Sequence, residues 1–209
     1  MATTYAALLR GINVGGGRKV PMAELRTLME GLGHDAVRTH LQSGQAVFTT
    51  GSDSPGSKDA GAGTRGEGTP GEGADTAGER AEDALAAELA DAIERHFGFA
   101  VGVIVRDHAY LRAIVDDCPF PAAELTPKQL HVTYFSAAVG ADRFADIDRA
   151  AHLPEEFRLG DRALYFYAPD GLGRSKLAER LARPRTTRGV IATTRNWNTV
   201  VKLVELTRD

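Results

Sequence analysis

The chain is nearly without cysteine. Cys118 stands alone among 209 residues, so an internal disulfide is impossible and a cysteine-based zinc site is not expected. Both facts fit a reducing compartment and predict a cytoplasmic protein. No apolar run approaches the ~18 residues that a membrane span needs. The start, Met1-Ala-Thr-Thr-Tyr, has no basic segment and no small-residue cleavage site, which predicts no signal peptide. The six histidines never occur at i, i+4, so no HExxH-type metal site exists and none is expected. GxSxG, GxGxxG and Gly-Lys-Ser/Thr are missing too, and no general acid, base or nucleophile can be assigned. No cofactor is called for. Cys118 precedes Pro119 and reads as a small buried residue. His40 lies near Ser43 in sequence, but no acid is placed to orient it.

The chain also lacks a dominant charge. The formal net charge is -3. Residues 51–80 supply that excess: outside them, 22 basic residues face 22 acidic ones. A globally basic nucleic-acid binder is not indicated, although a local basic patch is compatible with this balance.

Residues 51–80 contain nine glycines and two prolines, and their only apolar residues are alanines. Such a segment cannot bury enough apolar surface to offset the entropy of ordering it. It predicts a disordered insertion between a strand and a helix, decorating one domain.

The rest is regular. Residues 6–12 form an apolar run of strand length. Met22, Leu25, Leu28, Met29 and Leu32 fall at helical spacing before Gly33. Residues 37–42 and 45–50 flank Ser43-Gly44, a hairpin signal. Leu85, Leu89, Ile93 and Phe97 mark a helix, and residues 100–106 a strand. The order β-α-β-β-α-β is ferredoxin-like. The second half nearly repeats it. A connector helix covers 110–115 and a strand covers 130–136. Phe144 and Ile147 are assigned to a helix, and a hairpin turns at Gly160-Asp161. Leu177 and Leu181 mark another helix, residues 190–192 a last strand, and Trp197, Val200, Val201 and Val204 a last helix. The expected fold class is α+β: two tandem ferredoxin-like halves, 1–106 and 107–209, with a C-terminal helix. A doubly wound parallel sheet is the alternative, and two tight hairpins argue against it.

Three polar segments stand out. Residues 10–19, Arg-Gly-Ile-Asn-Val-Gly-Gly-Gly-Arg-Lys, join a strand to a helix. Glycines let backbone N–H groups converge on an anion, and a helix start adds a positive dipole end. The plainer reading is a turn needing positive φ. Residues 170–176, Asp-Gly-Leu-Gly-Arg-Ser-Lys, repeat the arrangement, with Ser175 as an N-cap and Arg174 and Lys176 beside a helix start that disfavours cations. The plainer reading is a capped helix with solvated bases. Residues 193–199, Thr-Thr-Arg-Asn-Trp-Asn-Thr, are placed at the start of the last helix, where Thr194 or Asn196 would cap; they also read as a buried junction filled by Trp197. From Arg174 to Arg195 there are seven basic residues and one acid, Glu179: a solvated face, or a site for a phosphate-rich partner. Tyr165 and Tyr167 share a strand face that RNA-binding sheets use for stacking, but the RNP1 pattern is missing and packing between the halves is the better reading.

Ala7-Leu-Leu-Arg-Gly-Ile-Asn-Val-Gly-Gly, Leu41-Gln-Ser-Gly-Gln-Ala-Val-Phe, Pro169-Asp-Gly-Leu-Gly-Arg-Ser-Lys-Leu and Thr194-Arg-Asn-Trp-Asn-Thr-Val together resemble the mainly bacterial family catalogued as domain of unknown function 1697. The resemblance covers nearly the whole chain apart from 51–80. It implies two ferredoxin-like subdomains and no established activity. The family usually has Asn where this chain has Gln45, one methylene longer. The expectation is a shared site between the halves for a phosphorylated or other anionic small molecule. Its residues are Arg10, Gly11, Asn13, Gly15, Gly16, Ser43, Gly44, Arg174, Ser175, Lys176, Arg195, Asn196 and Asn198. Arg10, Arg174 and Arg195 neutralise charge, and Asn13 and Asn196 orient. The alternatives are RNA or single-stranded DNA on the basic stretch, or a structural protein whose polar motifs lock the halves. No membrane partner is expected, and the sequence sets no oligomeric state.

Overall fold

The computed structural model describes residues 2–15, 17–40, 44–50 and 72–208. It is a mixed α+β chain that separates into two compact units. One runs to His108 and takes in Thr207; the other is Ala109–Leu206.

In the first unit, β1 (Thr4–Leu9) leads to α1 (Met22–Gly31), β2 (His34–His40), β3 (Gln45–Thr50), α2 (Glu72–Phe97) and β4 (Val103–Asp107). The strands form one antiparallel sheet in the order β2-β3-β1-β4. Alternation along β1 sends Tyr5, Ala7 and Leu9 to the helix side, where Leu25 and Met29 of α1 and Leu85, Leu89 and Ile93 of α2 close the core. The opposite face is buried as well, at Ala6, Leu8, Val47 and Ile104. This explains why β1 reads as a continuous apolar run. Gly33, at φ 87°, ends α1 as its position predicts.

The helix α2 begins at Glu72, inside the segment expected to be disordered to residue 80. Ala74, Glu79, Arg80 and Ala81 are good helix formers, and the helix gains its stability further on from the Leu85–Leu89–Ile93 stripe. The remainder of that insertion, 51–71, lies outside the described residues.

The second unit carries α3 (His108–Asp116), β5 (Leu130–Phe135), β6 (Glu156–Gly160), β7 (Ala163–Tyr167), α4 (Lys176–Leu181), β8 (Ala192–Asn196) and most of α5 (Trp197–Thr207). Its antiparallel sheet runs β6-β7-β5-β8. Three differences from the sequence expectation follow. Phe144 and Ile147 do not sit on an α-helix: the chain makes two short 3₁₀ turns, 141–144 and 150–152, and both side chains still enter the core. The last strand is later than 190–192, so Thr193, Thr194 and Arg195 lie on β8 and the helix starts only at Trp197. Tyr165 packs against α3 in its own unit, where its hydroxyl donates to Ile114 O at 2.9 Å.

Candidate functional site

Leaving β1, the chain makes a closed loop before α1. Gly11, Asn13, Gly15 and Arg18 have φ of 66°, 56°, 64° and 47°. Asn tolerates this region better than most residues. The Asn13 side chain then closes the loop. Its Nδ2 donates to Val20 O and its Oδ1 accepts from Val20 N, both at 2.9 Å, while Asn13 N donates to Arg18 O at 3.1 Å. Ile12 and Val20 are buried and anchor the two ends. Read from sequence as an orienting group for a ligand, Asn13 orients Val20 in the fold.

The loop carries Arg10, Arg18 and Lys19, all exposed. None of the three makes an ion pair among the described residues. The loop ends at Pro21, and no side chain caps the start of α1. Arg18 and Lys19 precede that uncapped first turn by no more than four residues, an arrangement that favours an anion.

The β2–β3 turn packs onto the same end of the sheet. Leu9 N donates to Gly44 O at 2.9 Å, and Arg10 N donates to Gly102 O at 2.8 Å. A Cβ on Gly44 would stand 2.7 Å from Ile12 Cδ1, so only glycine fits. Gln45 follows, fully buried opposite Leu8, which places its extra methylene in the interior. Gly16 and Ser43 lie outside the described residues.

The other two motifs meet at one end of the second sheet. Ala168 N donates to Gln129 O at 2.7 Å, and Gln129 Nε2 donates to Pro169 O at 3.2 Å. His131, two residues on, pairs across the strands with Asn196. Gln129 and His131 thus link the segment after β7 to the start of α5. Ser175 caps α4, accepting from Ala178 N at 2.8 Å; Arg174 and Lys176 are exposed. Asn196 caps α5, its Oδ1 accepting from Thr199 N at 3.0 Å and from the Thr199 hydroxyl at 2.9 Å.

A strand sends neighbouring side chains to opposite faces, and this divides the last motif. Asn196 and Thr194 share one face with His131 and Thr133, where the Thr133 and Thr194 hydroxyls lie 2.8 Å apart. Arg195 points the other way. It is buried, and its Nη1 donates to Thr193 Oγ1 and Thr194 O, both at 2.8 Å. Burial pushes its guanidinium down to about 10, with Tyr134 acting in the opposite sense. Arg195 and Asn196 therefore lie on opposite faces of the sheet. Asn198 is exposed on the first turn of α5.

Several buried polar groups escaped the sequence reading. Arg106 and Glu82 form an ion pair at 3.1 Å, and Glu82 Oε1 also accepts from Asp107 N at 3.0 Å. They lie 24 residues apart on different elements, so no local spacing announces them. His131 is buried, and burial lowers it to about 4, so it is neutral at pH 7; its Nδ1 has no hydrogen-bond partner among the described residues. The half-buried Cys118 thiol is pushed up by burial, which disfavours the reactive thiolate. Among the described residues no group of His, Cys, Asp and Glu could hold a metal ion, and no helix is long and apolar enough to cross a membrane.

A family described as "Protein of unknown function (DUF1697)" matches residues 2–62 and 75–165. The solved structure of the conserved bacterial protein SP0830 from Streptococcus pneumoniae is similar over 100% of both chains, at 20% identity and a TM-score of 0.64. That likeness concerns the fold. No curated protein matches the chain.

Proposed function

The chain belongs to the DUF1697 family of proteins of unknown function, and from that premise we propose that it binds a phosphorylated or other anionic small molecule on the glycine loop of its first unit. One observation carries this reading. The Asn13–Val20 clamp closes a loop on which Arg10, Arg18 and Lys19 are exposed and make no ion pair among the described residues, next to an uncapped helix start. Arg10, Arg18 and Lys19 supply charge, Gly11 and Gly15 allow close backbone approach, and Gly44 borders the loop. Arg174, Ser175, Lys176, Asn196 and Asn198 are the corresponding groups of the second unit, with Arg195 as an internal brace. We read each unit as a ferredoxin-like half, supported by the shared sheet orders β2-β3-β1-β4 and β6-β7-β5-β8. A cytoplasmic location is supported by the single cysteine.

A thermal-shift screen against sulfate, phosphate, nucleotides and sugar phosphates tests this reading, repeated on Arg18→Gln/Lys19→Gln. A ligand at ~100 times its dissociation constant adds ~2.7 kcal/mol. For a chain of this size that is roughly 5–10 °C. A shift with one class of anion, lost in an equally stable double variant, is the expected result. No shift with any of them, or a shift that survives the substitutions, overturns it.

Nucleic-acid binding is the second reading. Arg174, Lys176, Arg180, Arg183 and Arg188 are exposed and make no ion pair among the described residues. Arg185 is held by Asp146 at 2.9 Å. This reading expects oligonucleotide binding that falls steeply with salt and is weakened by Arg180→Gln/Arg183→Gln.

A further inference from the structure

A cleft of about 340 Å³ opens in the second unit between the 3₁₀ turn at 150–152, β6 and the start of α4. Its volume is at the lower end of what small-molecule sites enclose. Phe157 and Leu177 are buried and form an apolar floor. Leu153 stands at the rim with 63% of its surface exposed, one of only two large apolar side chains so exposed among the described residues.

Four charged groups line the same cleft, and they are not equivalent. Glu156 and Arg158 are paired with each other. Arg149 and Glu155 make no ion pair among the described residues. The Arg149 guanidinium lies over the Phe157 ring, 4.3 Å from its centroid. A guanidinium seated over a ring keeps its edge for hydrogen bonding, and Arg149 is exposed, which suits it to a planar carboxylate. Glu155 Oε2 accepts from Leu177 N at 3.3 Å, which fixes the carboxylate at the cleft wall. The cleft thus offers one cation, one anion and an apolar surface between them.

We propose that this cleft binds an apolar α-amino acid. Its carboxylate pairs with Arg149, its ammonium with Glu155, and its side chain covers Phe157, Leu177 and Leu153. A simple anion meets the Glu155 charge, and a simple amine meets Arg149; only a zwitterion satisfies both. The proposal is independent of the glycine-loop reading, because its residues all belong to the second unit.

The test is a titration of the full chain with L-phenylalanine and L-leucine, followed by the backbone amide NMR signals of residues 149–153, 155–158 and 177. The controls are 3-phenylpropionate, which lacks the ammonium, and phenethylamine, which lacks the carboxylate. Saturable L-phenylalanine binding is expected, with each control about tenfold weaker, the worth of one charge-assisted contact. Arg149→Gln should weaken L-phenylalanine by about the same factor and leave phenethylamine no weaker, since the opposing cation is gone. Glu155→Gln keeps an acceptor for Leu177 N; it should weaken L-phenylalanine and leave 3-phenylpropionate no weaker, since the opposing carboxylate is gone. Thermal melts confirm that both variants fold. Absence of saturation at millimolar L-phenylalanine overturns the proposal, as does full affinity in either variant.

Discussion

Asn13 and Val20 exchange two hydrogen bonds through a single side chain, Nδ2 to Val20 O and Oδ1 to Val20 N, both at 2.9 Å. This places the amide between the two ends of the glycine loop. Asn13→Ala removes both bonds and puts alanine at φ 56°. The expected cost is about 2–3 kcal/mol, measured by urea unfolding. Asn13→Asp keeps the acceptor and loses the donor, so it should fall between the two.

Gly44→Ala should destabilise by about 1–3 kcal/mol. The added methyl meets Ile12 Cδ1 at 2.7 Å and Leu9 Cβ at 3.0 Å, and the backbone is at φ 85°. Gly15→Ala offers the comparison: φ is 64°, but nothing lies within 4 Å. It should show the backbone cost alone, and thermal melts of the pair separate the two effects.

Glu82→Ala leaves the Arg106 guanidinium buried without its carboxylate and deprives Asp107 N of its acceptor. The expected loss is about 3–5 kcal/mol in chemical denaturation. The pair Glu82→Leu/Arg106→Leu should lose much less, because no buried charge is then left behind.

His131 gives stability a pH dependence of known sign. Burial lowers it from 6.5 to about 4 in the fold. Between those values the unfolded chain binds the proton and the folded chain does not, so stability rises with pH there. Above pH 6.5 the contribution is fully present; as pH falls toward 4 it is lost, on the order of 3 kcal/mol in all. His34, also lowered chiefly by burial, acts in the same direction. Denaturation curves for His131→Leu between pH 4 and 7 should show a smaller slope than the parent; an equal slope would falsify the assignment.

Asn196 and Asn198 look alike in sequence and should behave differently. Asn196→Ala removes the cap of α5 and should cost about 1 kcal/mol. Asn198 is exposed, and Asn198→Ala should stay within about 0.5 kcal/mol. If Asn198→Ala were as damaging as Asn196→Ala, a structural reading of the whole motif would gain.

Local pattern was enough for most of the elements. The helical stripe Leu25–Met29, the turn at Gly160-Asp161, the apolar run of β1 and the aromatic run of β7 each carry their own pattern and their own punctuation, and α1, the β6–β7 hairpin and a central strand of each sheet follow from them. Ser175 was legible as a cap, and Asn196 as one of two candidates beside Thr194, because a cap acts within four residues.

What local pattern left open was settled by packing over distance. Residues 192–196 are short and polar enough to pass for a helix start. Pairing with β5 makes them a strand, and the period of two then turns Arg195 away from Asn196. Phe144 and Ile147 carry a helix-like spacing, but 3₁₀ turns bury both without a continuous α-helix. The Glu82–Arg106 pair and the burial of His131 join residues from separate elements, and no window of sequence contains their partners; the cleft at Phe157 is lined mostly by residues 149–158 and completed by Leu177 of α4. Periodicity reports which side of an element is apolar; which charges that burial forces together is decided only when the elements meet.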